Sequence, residues 1–169
     1  MKHSLALLVL AAGVLTLALL AGGPALSSPS AVSAKTAKVA VFKSTALGTI
    51  LVDGQGRTLY LFEKDGRGRS SCAGACATYW PPLLTHGRPA AGRGVKGSLL
   101  GLTRRADGTT QVTYAGHPLY RFVQDRKPGQ TTGQGSRTFG ANWYVLSSAG
   151  KKIEKADRVD EGPYAYPYS

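Results

Sequence analysis

A chain that writes the same segment twice must fold into something that uses one unit twice. Here "LYLFEKD" at 59–65 returns as "LYRFVQD" at 119–125. The likeness extends backwards, so that Gly48 to Asp65 aligns with Gly108 to Asp125 without a gap and with eight identities in eighteen positions. The matched pairs are Gly48 and Gly108, Thr49 and Thr109, Val52 and Val112, Gly56 and Gly116, Leu59 and Leu119, Tyr60 and Tyr120, Phe62 and Phe122, and Asp65 and Asp125. Farther on, Trp80 in "CATYWPPLL" falls opposite Trp143 in "GANWYVL" after a small length change. Self-similarity at this period is the mark of a duplicated structural unit. Each unit reads as a strand, a glycine turn, a strand ending in Tyr-x-Phe-x-x-Asp, a polar glycine-rich loop, and a Trp that returns to the core.

The local pattern is that of a β protein. "KVAVF", "GTILVD", "RTLYLF", "LLGLTRR", "TTQVTYA", "PLYRFV" and "NWYVLS" are short runs rich in β-branched and aromatic residues, divided by Gly, Asp and Pro. "VDGQGR" and "RADGTT" each set Asp-Gly between two such runs, a strong hairpin signal, and "YAGHP" supplies a third turn. No segment longer than a turn carries a helical stripe. The expectation is one all-β antiparallel domain over 38–153, with repeat units at about 38–84 and 98–147.

On a strand, side chains alternate between faces, so Tyr60 and Phe62 share one face, as do Tyr120 and Phe122. Together with Trp80 and Trp143 these rings are the expected aromatic core. The opposite face carries Leu59 and Leu61 in the first copy but Leu119 and Arg121 in the second, which predicts a central first strand and a second nearer an edge. Asp65 and Asp125 stand where strand gives way to loop. A carboxylate there can cap the turn through backbone N–H groups, or hold an Arg or the phenol of its own repeat. A carboxylate–phenol pair is also able to do acid–base chemistry, but an active site needs one constellation, whereas this one is written twice.

The pair "YLFEKD" and "YRFVQD", with "CAGACATYWPPL" between them, resembles the bacterial secreted-repeat family, predicted lipoproteins of unknown function with a Yx(FWY)xxD motif. The resemblance covers Gly48 to about Leu146. It implies an extracytoplasmic protein of tandem repeats, often held to a membrane by a lipidated cysteine. In this chain "LLAGG" at 19–23 has the shape of a lipoprotein box, but Gly23 stands where the acylated cysteine would be.

The two ends fit export. "MKHSLALLVLAAGVLTLALLAGG" places an apolar run, Leu5 to Ala21, behind Lys2, the layout of a signal segment. A small-residue site at Val32-Ser33-Ala34 predicts a signal peptide over 1–34 and a mature start at Lys35. The alternative is an uncleaved membrane anchor helix, because the apolar run lies at the lower edge of the ~17–25 residues a bilayer span needs. The last segment, 154–169, mixes charge with Tyr and Pro and reads as a loosely held tail.

Cutting at Ala34 leaves 135 residues, enough for one compact domain. The chain carries 21 Lys+Arg against 9 Asp+Glu, a net charge of +12. Such a surface favours polyanions. Outside a cell these are anionic wall polymers and lipid head groups; nucleic acid is excluded by the expected location and by the lack of an aromatic-basic RNA-binding signature.

Cys72 and Cys76 are the only cysteines. In an exported chain an isolated pair reads most simply as a disulfide, here closing a short loop that fixes how Trp80 enters the core. The alternative is a redox-active or metal-handling pair, with His86 completing a copper or zinc site. A further ligand is lacking, since the one Met is the initiator and the other histidines are His3 and His117. No cofactor is otherwise implied. The chain has no phosphate-cradling G-x-x-x-x-G-K, no G-x-S-x-G and no H-E-x-x-H, and the glycine-rich "GQTTGQGSR" follows a strand as a loop. No residue is assigned a catalytic role. The sequence thus predicts a non-enzymatic, exported envelope domain.

Overall fold

The computed structural model describes residues 35–154. The export segment at 1–34 and residues 155–169 of the tail lie outside the described residues. The architecture is mostly sheet. In chain order come β1 (Lys38–Ser44), β2 (Gly48–Asp53), β3 (Tyr60–Phe62), one short helix α1 (Ala75–Tyr79), β4 (Ala90–Ala91), β5 (Leu100–Arg104), β6 (Thr110–Tyr114), β7 (His117–Pro118), β8 (Arg137–Thr138) and β9 (Ala141–Val145). They form three small sheets ordered β2-β1-β4, β3-β9-β8 and β5-β6-β7. Every pairing is antiparallel except the two-residue contact of β1 with β4.

The expected turns form. β1 and β2 make one hairpin and β5 and β6 its counterpart, the latter closing over Asp107-Gly108. Between β6 and β7 the two-residue loop Ala115-Gly116 has positive φ at both positions (50° and 84°), the conformation that twists with the strands it joins.

The halves meet at the two motif tyrosines. Tyr60 N–H donates to Tyr120 O (2.9 Å) and Tyr120 N–H donates to Tyr60 O (3.0 Å). Two residues that exchange both backbone bonds are directly opposed, so an approximate two-fold axis passes between them. Around this axis each repeat borrows its last strand from the other. β3 of the first repeat pairs with β9 of the second, Phe62 facing Trp143. On the other side the 119–123 segment is bonded by the first repeat's Trp80 region: Leu83 N–H to Leu119 O, Arg121 N–H to Pro81 O and Val123 N–H to Tyr79 O. The hairpins follow the same crossing, with Leu51 N–H on Leu146 O and Val112 N–H on Leu83 O.

This crossing corrects one expectation. The second motif segment, expected as a strand, is a strand only at β7 and continues through isolated bridges, and it does not lie near an edge, because Tyr120 is bridged to Tyr60 on one side and to Pro82 on the other. Arg121 sits there at the cost of burial, with its guanidinium within 3.8 Å of the Asp53 carboxylate and its Nη2 donating to Pro82 O. The helix α1 is also unforeseen. It is a single turn inside "CAGACATYW", too short to show a periodicity.

Both sides of the two motif segments are covered. Tyr60, Phe62, Trp80, Tyr120, Phe122 and Trp143 belong to one buried cluster, and Leu59, Leu61 and Leu119 to a second with Leu51, Val112 and Leu146.

Candidate functional site

The centre of the molecule is a stack of four rings in the order Phe62, Trp143, Trp80, Phe122. Their centroids are separated by 4.1, 3.9 and 4.3 Å, and the two indoles are tilted by only 3°. Each phenylalanine thus lies on the other repeat's tryptophan. The tyrosines close the stack edge-on, Tyr60 against Trp80 (5.3 Å) and Tyr120 against Trp143 (5.2 Å). Stacked and edge-on aromatic pairs each contribute about 0.5–1.5 kcal/mol beyond the area they bury. Both indole N–H groups end on Thr138, one on its hydroxyl and one on its carbonyl. Gly133 must lack a side chain, since a Cβ there would come within 2.6 Å of the Trp80 ring.

The tyrosines reach past the stack to the aspartates, and again they cross. Tyr60 Oη donates to Asp125 Oδ2 (2.5 Å), and Tyr120 Oη donates to Asp65 Oδ2 (2.7 Å). The phenol partner is therefore not the one in the same repeat; each pair joins the two units. The second oxygen of each carboxylate caps the following loop. Asp65 Oδ1 accepts Ser71 N–H and Oγ–H, and Asp125 Oδ1 accepts Thr132 N–H and Oγ1–H. Capping and phenol binding are thus two halves of one role.

Burial dominates the electrostatics of all four groups. It pushes the Asp65 and Asp125 carboxyls above the ordinary carboxylate value, against the opposing pull of the Ser71, Thr132 and tyrosine hydrogen bonds. Burial, followed by the Asp125 charge, holds the Tyr60 phenol well above its usual value. Tyr120 is raised too, first by burial, although its bond with Ser70 opposes the shift.

The loops that the aspartates cap dock on the opposite repeat's hairpin. Gly68 N–H donates to Gly116 O (2.7 Å) and Gly129 N–H donates to Gly56 O (2.9 Å), one matched bond for each copy. The copies then diverge. Beside the Asp65 pair lies a cleft of about 440 Å³ lined by Glu63, Asp65, His117, Lys151 and Lys152. His117 is exposed, yet partial desolvation followed by the Arg67 charge lowers its pKa. A buried arginine braces the same copy: Arg105 Nη2 donates to Cys72 O (2.7 Å), and its Nη1 to Ser70 Oγ (2.7 Å) and Gln111 Oε1 (2.9 Å). Ser70 Oγ in turn meets Tyr120 Oη at 2.8 Å. Asp125, by contrast, is buried, being only 4 % exposed.

Sequence reasoning passed over Arg105, Ser70 and Gln111. The signal for Arg105 was strand alternation, which sets Thr103 and Arg105 inward and Leu102 and Arg104 outward; the exposed leucine hides it. Cys72 and Cys76 are joined in a disulfide, with Cα atoms 5.3 Å apart, and both are buried. Neither sulfur is then a thiolate ligand, and His86 stands exposed with its carbonyl bonded to Thr36. Among the described residues no group of three His, Cys, Asp or Glu side chains gathers to hold a metal.

A family model described as a secreted repeat of unknown function matches residues 41–84 and again 101–147, together more than half of the chain. No curated protein and no solved structure matches it.

Proposed function

The chain belongs to the family of secreted repeats of unknown function, and from that premise we propose that it is a non-enzymatic extracytoplasmic domain that binds or scaffolds at an anionic component of the cell envelope. One observation carries the reading: among the described residues the surface is left with cations that no carboxylate offsets. The described residues include 18 Lys+Arg and 6 Asp+Glu. All six acids are engaged. Asp53, Glu63, Asp107 and Glu154 pair with Arg57, Arg105, Arg121 and Lys152, while Asp65 and Asp125 hold the tyrosines. The other fourteen basic side chains are exposed and have no ion pair among the described residues.

Such a field concentrates a polyanion near the surface and is screened by salt. The internal geometry supports a non-catalytic part for the motif, because both Tyr–Asp pairs are spent on joining the repeats and capping loops. The test is retention of the exported protein on polygalacturonate beads at low ionic strength, with neutral dextran beads as control. Retention that is lost by about 0.5 M salt, where the screening length has shrunk to a few ångström, is the expected result. Equal behaviour on both supports would sink the reading.

A further inference from the structure

The fourteen cations without an ion pair among the described residues are spread over the surface, but two of them line a cleft with a ring. The end of β1 and its turn (Phe42, Lys43, Thr45) face the loop that Asp125 caps (Lys127, Pro128, Gln130) across a cleft of about 380 Å³. No acidic residue lines it. The loop side is held firmly: Gln130 Oε1 accepts the N–H groups of Arg126 and Lys127, Gln130 O accepts Thr58 Oγ1–H at 2.6 Å, and Gly129 is tied to Gly56.

The ring is placed by the backbone. Gly129 has φ 69°, and a Cβ built there would fall 2.1 Å from Phe42 Cε1, so the ring rests against bare main chain. Its other side remains open, leaving Phe42 38 % exposed. An exposed aromatic at a rigid position, with two lysines and the Ser44 and Thr45 hydroxyls around it, has three complementary properties. The ring offers a flat apolar face to the C–H side of a sugar. The ammonium groups offer mobile point charges to an acid group. The hydroxyls offer exchangeable hydrogen bonds.

We propose that this cleft is the subsite at which the domain holds an acidic polysaccharide, one sugar ring lying on Phe42 and its acid group between Lys43 and Lys127. The inference rests on the reading above and gives it a place. A polysaccharide fits better than a bilayer. A membrane-binding face presents a broad apolar surface for insertion, whereas here a single exposed ring shares its cleft with two lysines and no other large apolar side chain. The loop capped by Asp65 serves as an internal control. It carries two exposed cations, Arg67 and Arg69, at the matching place in the other repeat, and neither lines this cleft.

The experiment compares two double variants of equal charge, Lys43→Glu/Lys127→Glu and Arg67→Glu/Arg69→Glu, with Phe42→Ala, for affinity to polygalacturonate; near-UV circular dichroism checks that each keeps the aromatic stack. The lysine pair should lose about tenfold or more, as removal of well-placed interfacial charges does, and Phe42→Ala should lose affinity at unchanged net charge. The arginine pair should lose much less. Equal losses in the two charge variants would overturn the subsite while leaving the proposed function standing. Binding of the unaltered protein to phosphatidylglycerol vesicles but not to polygalacturonate would also overturn it. Absence of binding to either would remove the proposed function itself.

Discussion

The two Tyr–Asp pairs contain the same atoms in two different settings. Tyr60 and Asp125 form a sealed pair: the carboxylate is 4 % exposed, the phenol is buried, and its remaining contact is Gly133 N–H at 3.3 Å. Tyr120 and Asp65 form an open pair, with Asp65 on the wall of a cleft and the phenol shared with Ser70, which Arg105 holds. Duplication supplied the crossed connection in both copies. Residues present once, above all Arg105 and the Cys72–Cys76 loop, made one copy a hub and left the other a plain lock. What is symmetric in this molecule therefore concerns folding, and what is asymmetric is how far each Tyr–Asp pair opens to its surroundings.

The contrast is broken most strongly at the aspartates. Asp125→Ala strands the Tyr60 hydroxyl in a dry site and releases the Thr132 cap, and leaving a buried polar group unsatisfied costs about 1–3 kcal/mol. Asp65→Ala leaves Tyr120 its Ser70 partner beside an open cleft, so its cost should sit at the bottom of that ~1–3 kcal/mol range. Urea unfolding of the two variants measures the difference. Equal midpoints would mean that the sealed and open settings do not matter. The disulfide comes next. Closing a loop of five residues constrains the unfolded chain by about 2 kcal/mol, so Cys72→Ser/Cys76→Ser should lose about that amount. Because Arg105 grips Cys72 O, the Asp65 copy should loosen more than the Asp125 copy, which hydrogen exchange at Ser71 and Thr132 resolves. Faster exchange at Thr132 than at Ser71 would count against the hub.

Much of this was legible before the structure. The strand runs at 38–42, 48–53, 99–105, 109–115 and 142–147 form strands within a residue or two, and the Asp-Gly turns lie where turn chemistry sets them. The six motif residues and two tryptophans do gather. Their partners were not legible, for a physical reason. An internal repeat reveals which residues are equivalent but is silent on whether each contacts its own unit or the other, since both arrangements bury the same side chains. Tyr60 with Asp65 and Tyr60 with Asp125 are indistinguishable in the sequence; only the bonds between Tyr60 and Tyr120 decide. The misplaced edge strand has a similar origin. Arg121 looks like a solvent residue until Asp53, nearly seventy positions earlier, is brought beside it.

The smallest effect, absent at neutral pH, sharpens the comparison from the side of the phenols. All four members of the two pairs have folded-state pKa values raised above their unfolded ones, chiefly by burial. A raised pKa means that the folded state holds its proton more tightly, so the associated stability is complete below the unfolded value and is lost as pH rises through the folded one. For the aspartates that loss begins near the ordinary carboxylate value of 3.8 and runs upward to the folded value. For the tyrosines it begins near 10. The fold should therefore withstand alkali up to that point and then weaken, with Tyr60 and Tyr120 ionising late. A spectrophotometric titration of tyrosinate, followed together with near-UV circular dichroism, should show two phenols that appear only as the aromatic signal collapses. Tyr60→Phe should remove one of them, as should Tyr120→Phe. The open pair should yield first: each phenol feels its aspartate's charge, but the largest influence after burial is the opposing Ser70 bond at Tyr120 and the reinforcing Asp125 charge at Tyr60, where the Gly133 N–H opposes least. If every tyrosine titrated near 10 with the aromatic signal intact, the phenols would not be locked on the aspartates, and the crossed pairs would cease to explain why the motif was kept in both copies.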